Sequence, residues 1–338
     1  MLINEIKKIK EFRGIKELKN PIKLSKFNIL IGKNNSGKTA ILESLFLFPH
    51  PRRTYKLLAN RSVSVLDFIS SGRNGIKSLV YKYDGLAEVD FDVTLNNKSH
   101  EWKIVVESKG TINVFKDNKK CNRFDGKFLE FLIDDQKPET SNNIEKISID
   151  NLEIVYFPYD STFIKALDDF LSYNEEKIIK NDIHTKVANS ISEVLDEKFT
   201  EIVLKKDGWY LRREDASYIH VNDMGDGVKK VVRTMLILEL LKPKLILWDD
   251  FDTAMHPSMI KNLLNYLSKG DWQVVMTTHS IDVLYYMLDL DDIEDIQIIA
   301  LKKDGSDIFG HRTFSIDDIE DIIDANLDPR YVCQNFDI

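Results

Sequence analysis

Apolar and polar positions change rhythm several times along the chain. Residues 2–31 read as short strands and turns that close on the continuous apolar strand FNILI, 27–31. The period becomes helical in KTAILESLFLF, which Pro49 and Pro51 terminate. Residues 77–118 alternate apolar with polar around the turns NNK and KG, as β-hairpins do. Residues 119–150 are polar and aperiodic, which predicts a loop-rich insertion. LEIVYF, 152–157, reads as a strand, and the charged helical period over 162–200 predicts a helical lid or arm. FTEIVLKKDGWYLRR and SYIHV return to strands. From 227 the order is helix, strand 244–248, helix 257–268, strand 273–278, helix 281–289, strands 297–302 and 310–315, and a short helix from 316. This alternation predicts an α/β fold, a mostly parallel sheet flanked by helices, with an antiparallel β-subdomain and a helical insertion. The expected organisation is a single unit over 1–338. It comprises an N-terminal lobe (1–160), the helical insertion (161–200) and a C-terminal lobe (201–338).

A chain of 338 residues that is 43% hydrophobic and 30% charged can bury a sizeable core. It has no run of 18 apolar residues, so no membrane span is expected. The opening MLINEIKKIKEF lacks the apolar segment of a signal peptide. Cys121 and Cys333 form neither a disulfide framework nor a CxxC metal motif, and a cytoplasmic protein is expected. The net charge of −8 conceals an asymmetry: residues 1–61 hold 14 Lys and Arg against 4 Asp and Glu, the remainder 33 against 51. The N-terminal lysines and HPRRTYKLLANR, 50–61, are therefore a candidate DNA-contacting face.

Chemistry enters at GKNNSGKT, Gly32 to Thr39, a G-x-x-x-x-G-K-[ST] pattern between a buried strand and an amphipathic helix. Backbone N–H groups over Gly32, Lys33, Asn34, Asn35, Ser36 and Gly37, with Ala40 in the first helical turn, would point at phosphates. Lys38 would reach the β/γ-phosphates of ATP, and the Thr39 hydroxyl would coordinate Mg²⁺. Such a site needs an acid at the end of a neighbouring strand, and KLILWDD supplies Asp249 for the metal. Asp250 stands where a carboxylate would orient the attacking water, while Asp252 and Thr253 are placed to cap the next helix. VVMTTHS ends a second apolar strand at His279, a candidate γ-phosphate sensor. NDMGDGVKKVV, just before a helix, offers a second anion site at Gly225, Asp226 and Gly227.

With four motifs in this order the chain resembles the P-loop NTPases of ABC/SMC-type ATPase heads. Within these it looks like the prokaryotic AAA-family ATPases related to the ATPase half of the OLD (overcoming lysogenization defect) nucleases. MGDG resembles the signature motif, LILWDDFDTAMHP the Walker B strand running into the D-loop, and TTHS the H-loop. The resemblance implies an ATP-dependent homodimer, in which Gly225, Asp226 and Gly227 bind the γ-phosphate of the nucleotide held by Lys38 and Thr39 of a second copy. It also implies that Arg13, in EFRG, lies near the phosphates. Three departures stand out. Asp250 replaces the usual Glu, so slow hydrolysis is expected; Gly225 replaces a Ser; and none of Gln136, Gln273, Gln297 and Gln334 suits the Q-loop, for which Asp160 or Ser161 would substitute. Only 58 residues follow TTHS, too few for the Toprim nuclease domain of the OLD enzymes. Their Asp-rich runs read as strand, strand and a capped helix rather than a metal-dependent nuclease. The expected function is an ATP-gated dimeric ATPase acting in DNA processing or defence against phage. The alternative is a slowly hydrolysing scaffold or sensor that controls a separately encoded effector such as a nuclease. A small-molecule kinase ranks last, because MGDG and TTHS would have no part in it.

Overall fold

The computed structural model describes residues 1–133, 143–159, 163–195, 197–290 and 295–338, without the side chains of 59–61. Four strands come first: β1 (Leu2–Phe12), β2 (Ile15–Leu18), β3 (Ile22–Lys23) and β4 (Phe27–Ile31), the last leading into helix α1 (Lys38–Phe46). After α2 (Val65–Ser70) follow β5 (Leu86–Leu95), β6 (Lys98–Glu107), β7 (Ile112–Lys116), β8 (Lys119–Phe124), β9 (Phe128–Leu132), β10 (Ile144–Ser148) and β11 (Ile154–Phe157). Three helices, α3 (Phe163–Tyr173), α4 (Glu175–Lys180) and α5 (Ile183–Leu195), precede β12 (Phe199–Lys205), β13 (Gly208–Arg213) and β14 (Tyr218–His220). The chain then alternates: α6 (Asp226–Leu241), β15 (Leu245–Trp248), α7 (Pro257–Ser268), β16 (Gln273–Thr277), α8 (Ile281–Leu288), β17 (Ile296–Lys303), β18 (Ile308–Phe314), α9 (Ile316–Asp324) and α10 (Pro329–Val332).

The central strands run parallel in the order β11, β15, β16, β4, β17. Helices cover both faces, so β4, β15 and β16 are buried at every position, which is why they read as unbroken apolar runs. From β17 the sheet continues through β18, β2 and β1 into the antiparallel run β5 to β10. There one face is solvated and burial alternates, as in β6. A separate antiparallel sheet joins β12, β13 and β14. Buried Gln273 stitches the sheet together. Its Oε1 accepts from the Ile3 amide at 3.0 Å, and its Nε2 donates to the Ile3 and Ser25 carbonyls at 2.8 and 2.9 Å.

The structure corrects the reading of 119–150 as loop. β8, β9 and β10 pair antiparallel there, with 134–142 outside the described residues. β8 buries no residue fully, and a bulge between Cys121 and Arg123 breaks the alternation of its two apolar residues, Cys121 and Phe124, which is why the segment reads as polar and aperiodic. The charged helices pack inward, α3 and α5 on α6, and α5 also on α7, through the buried stripe Val187, Ala188 and Ile191. The Asp-rich tail is structural where it is described. Ser315 and Asp318 form a capping box on α9, Asp328 caps α10, and no cluster of three or more His, Cys, Asp or Glu suited to a metal occurs among the described residues. Nor is any helix among them long and apolar enough to cross a membrane.

Part of the basic stretch 50–61 is drawn into the structure, while Arg52 stays exposed and the side chain of Arg61 lies outside the described residues. Arg53 is buried, Lys56 is paired with Glu153 at 2.7 Å, and His50 is buried and stacked on Phe124. Burial, with Arg52 and Arg53 nearby, lowers the His50 pKa to about 4 from 6.5, and its Nδ1 accepts the Arg52 amide proton. The folded state therefore excludes a proton that the unfolded chain takes up between these two values, so stability falls as pH drops through that window. The expected loss is about 3 kcal/mol between pH 6.5 and 4. His50→Asn keeps an acceptor for Arg52. It should show a correspondingly smaller drop in urea midpoint from pH 7 to pH 4.5, and an identical drop would refute the assignment.

Candidate functional site

β4 ends at Ile31 and the chain turns through 32–37 into α1, one strand away from the end of β16 and two from that of β15. This geometry gathers the carboxyl ends of three parallel strands around one cleft, where ligands bind in open α/β sheets. The cleft is lined by Arg13, Asn34 to Ala40, Asp249, Asp250 and His279, together with Gly14, Ile15, Glu43, Arg73 and Phe309. Gly225, Asp226 and Gly227 are not among its walls. They lie at the start of α6, where Asp226 is exposed and pairs with Lys229 at 3.1 Å.

The loop is shaped for an anion. Gly37 has φ 88°, and a Cβ there would run into the ring of Phe309. The neighbouring Ser36 hydroxyl is buried with no hydrogen-bond partner, a polar group that a phosphate oxygen would satisfy. Lys38 is buried and its ammonium folds back onto the loop, donating to the carbonyls of Gly32 at 2.9 Å and Lys33 at 3.4 Å. Burial lowers its pKa, against the opposing pull of Asp250 and Asp249. Lys33, Asn34 and Asn35 are exposed, Asn34 and Asn35 at the cleft and Lys33 outside its lining.

Across from the loop, the Thr39 hydroxyl donates to Asp249 Oδ2 at 2.7 Å. Asp249 Oδ1 accepts from Thr277 at 2.7 Å. Burial raises the Asp249 pKa, and the hydrogen bonds from Thr277 and Thr39 oppose it. A hydroxyl and a carboxylate in contact, both on the cleft wall, are a hard-oxygen pair of the kind Mg²⁺ takes. The ion and a nucleotide phosphate therefore fit the residues present. Asp250 follows in a left-handed conformation (φ 44°), with its amide on Thr277 Oγ1 at 2.7 Å and its carboxylate 3.3 Å from that oxygen. Thr277 thus fixes both aspartates, a role that the motif TTHS did not reveal. His279 is exposed at the cleft, and its carbonyl accepts from Arg330 at 2.9 Å.

Other readings change. Asp252 does not cap α7. It accepts from Thr278 at 2.7 Å, and His256 caps the helix instead, because Asp252 lies five residues before Pro257. Arg13 reaches the cleft wall, but its guanidinium is occupied by Glu43 at 2.6 Å, Ser78 Oγ at 2.8 Å and the Ile69 carbonyl at 2.5 Å. Half-exposed Arg73 shares Glu43 at 3.1 Å. This buried Glu43, whose pKa burial raises in spite of Arg13, carried no signal beyond its helical spacing from Thr39. Gln273 and Gln297 are bound to main-chain carbonyls, while Gln136, Asp160 and Ser161 lie outside the described residues.

Comparison with known proteins gives a consistent picture. A family described as "AAA domain, putative AbiEii toxin, Type IV TA system" matches residues 27–284. The uncharacterized protein MJECL10 of Methanocaldococcus jannaschii is 30% identical over 173 residues, 47% of this chain and 77% of its own length. Among solved structures, the SMC head domain from Thermotoga maritima superposes with a TM-score of 0.56 at 13% identity, over 93% of this chain and all of that one. An SMC head bound to the C-terminal winged-helix domain of ScpA gives 0.61 at 13% identity, over 95% of this chain and all of that one. At such identity these two likenesses bear on the fold alone.

Proposed function

This chain belongs to the AAA-domain family that matches residues 27–284, with an ABC/SMC-type P-loop ATPase fold, and from that premise we propose that it binds ATP, hydrolyses it to ADP and phosphate, and closes head to head on a second copy while ATP is held. The observation that carries this reading is the Thr39–Asp249 contact at 2.7 Å beside a glycine-shaped loop with a buried, unsatisfied Ser36 hydroxyl. Thr39 and Asp249 would hold Mg²⁺, which when bound neutralises charge on the phosphates. Lys38 leaves its loop carbonyls for the β/γ-phosphates, Asp250 orients the attacking water, and His279 faces the γ-phosphate. Gly225, Asp226 and Gly227, outside their own chain's cleft, bind the phosphates of the second copy through the N-terminus of α6. The finer likeness to the ATPase half of the OLD nucleases belongs to this reading and rests on the order of the four motifs. So does a role in DNA processing or defence against phage, for which the exposed lysines Lys10, Lys16, Lys19 and Lys23 are the supporting feature.

A second reading is favoured by Asp250 itself. Its side chain is one methylene shorter than the usual Glu, which suits a scaffold that holds ATP for long periods and controls a separate effector. Steady-state turnover with Mg²⁺, with and without double-stranded DNA, separates the two readings. Turnover that rises with DNA at 50 mM salt and declines at 300 mM supports the first. ATP-dependent dimers with negligible turnover support the second. For Asp250→Asn the expected result is a loss of about 100-fold in kcat with ATP binding retained and dimers accumulating. Turnover within about twofold of the parent would remove Asp250 from the mechanism.

A further inference from the structure

The turn that carries Asp250 is held from two sides. On the sheet side, Thr277 accepts the Asp250 amide and Thr278 donates to Asp252. On the other side stands α6. Lys230 donates its ammonium protons to the carbonyls of Phe251 at 2.8 Å and Asp250 at 3.3 Å, and lies 5.2 Å from the centre of the Trp248 ring. One turn earlier, Gly227 approaches so closely that a Cβ would stand 2.6 Å from the Ala254 carbonyl and 3.3 Å from Met255 Cα. Asp250 and Ala254 both have positive φ, 44° and 65°, a conformation that costs about 1–3 kcal/mol at a non-glycine residue and persists only where neighbours enforce it. A charged donor shared by two successive carbonyls is such an enforcement.

We infer that Lys230 is a positioning residue. It ties the peptide units of Asp250 and Phe251 to α6, so that the placement of Gly225 to Gly227 sets where the Asp250 carboxylate points. The inference rests on the proposed role of Asp250 in orienting water. It extends that role by supplying a route from the phosphate-binding end of α6 to the hydrolytic group, with no mobile segment required. Partial burial lowers the Lys230 pKa to about 8, against the pull of Asp252, Asp250 and Asp249, as expected of an ammonium withdrawn from water.

Two variants test this. Lys230→Met keeps the stem against Trp248 and removes the donor, whereas Lys230→Arg restores donors. ATP affinity by calorimetry, kcat, and amide hydrogen exchange over 250–255 would be measured on the full chain. For Lys230→Met the expected result is ATP affinity within about twofold of the parent, kcat lower by about tenfold or more, and faster exchange across 250–255, since small displacements of a reacting group carry costs of that order. Lys230→Arg should recover most of both losses. Parental kcat in Lys230→Met overturns the inference while leaving ATP hydrolysis intact. Equal loss of affinity and turnover that arginine does not rescue also overturns it, because it marks a merely structural lysine. If the parent binds ATP without hydrolysing it, the hydrolytic reading fails separately. Exchange over 250–255 then decides, and unchanged exchange in Lys230→Met overturns the inference.

Discussion

Lys38→Ala should lower ATP turnover by about 10³-fold or more, equivalent to about 4 kcal/mol of lost transition-state stabilisation. Lys38 is buried in the wall of the cleft and its ammonium bonds to loop carbonyls of Gly32 and Lys33, already stripped of most of its water. A charge held this way costs little reorganisation when it transfers to a phosphate oxygen, and it acts in surroundings where charges are weakly screened. Alanine removes the charge and leaves the same carbonyls facing the cleft. Lys38→Arg should not restore turnover, because a planar guanidinium fork does not reproduce the compact point charge of an ammonium at the phosphates. Initial rates of phosphate release at saturating ATP and Mg²⁺ check both variants. Residual activity above about a tenth of the parental rate in Lys38→Ala would exclude the cleft as the hydrolytic site.

The largest expected effect on stability lies elsewhere, at Arg53. Its side chain is buried beneath the end of α1, where Nε donates to the Phe48 carbonyl at 3.1 Å, Nη2 donates to the Phe46 carbonyl at 3.2 Å, and the guanidinium covers the Phe46 ring at 4.8 Å. Carbonyls at a helix C-terminus lack intrahelical donors and carry partial negative charge, so a buried cation satisfies both needs. Burial lowers the Arg53 pKa to about 10, and Glu153 opposes the shift. Arg53→Ala opens a cavity and orphans two buried carbonyls, with an expected cost of about 3–5 kcal/mol. For a chain of this length that corresponds to a fall of roughly 5 °C in Tm. Arg53→Met fills the space without donating, and should lose about half as much. Urea unfolding followed by far-UV circular dichroism checks both, and a change below about 1 kcal/mol for Arg53→Ala would show that water replaces the guanidinium.

Arg53 also shows where sequence reading stops. In HPRRTYKLLANR it looks like one cation among several, and only the packing of Phe46, Phe48 and Tyr55 around it reveals a structural residue. The parallel centre was legible because FNILI, LILW and QVVMT are buried on both faces and separated by helical periods. β8 was not, because it buries no residue fully and a bulge interrupts the alternation of its two apolar residues, Cys121 and Phe124. For the candidate site, the loop 32–39 and the aspartates at the end of β15 announced themselves by spacing, and one cleft gathers them with His279. Thr277, Glu43, Arg73 and Lys230 did not, because each acts across a long separation in sequence, on residues that only the folded sheet brings near.

The strand order also constrains when the cleft can exist. β4, which carries the phosphate loop, is paired on one side with β16 and on the other with β17, both from the last quarter of the chain. During synthesis from the N-terminus, residues 27–39 emerge with neither neighbour available, and α1 has no completed sheet to lie on. The loop has both neighbours only once β17, Ile296–Lys303, has left the ribosome, long after residues 27–39 themselves are made, so the cleft that would hold nucleotide is completed late. An apolar strand such as FNILI must meanwhile be kept from other exposed edges, which makes its late capture the step most open to chaperone assistance.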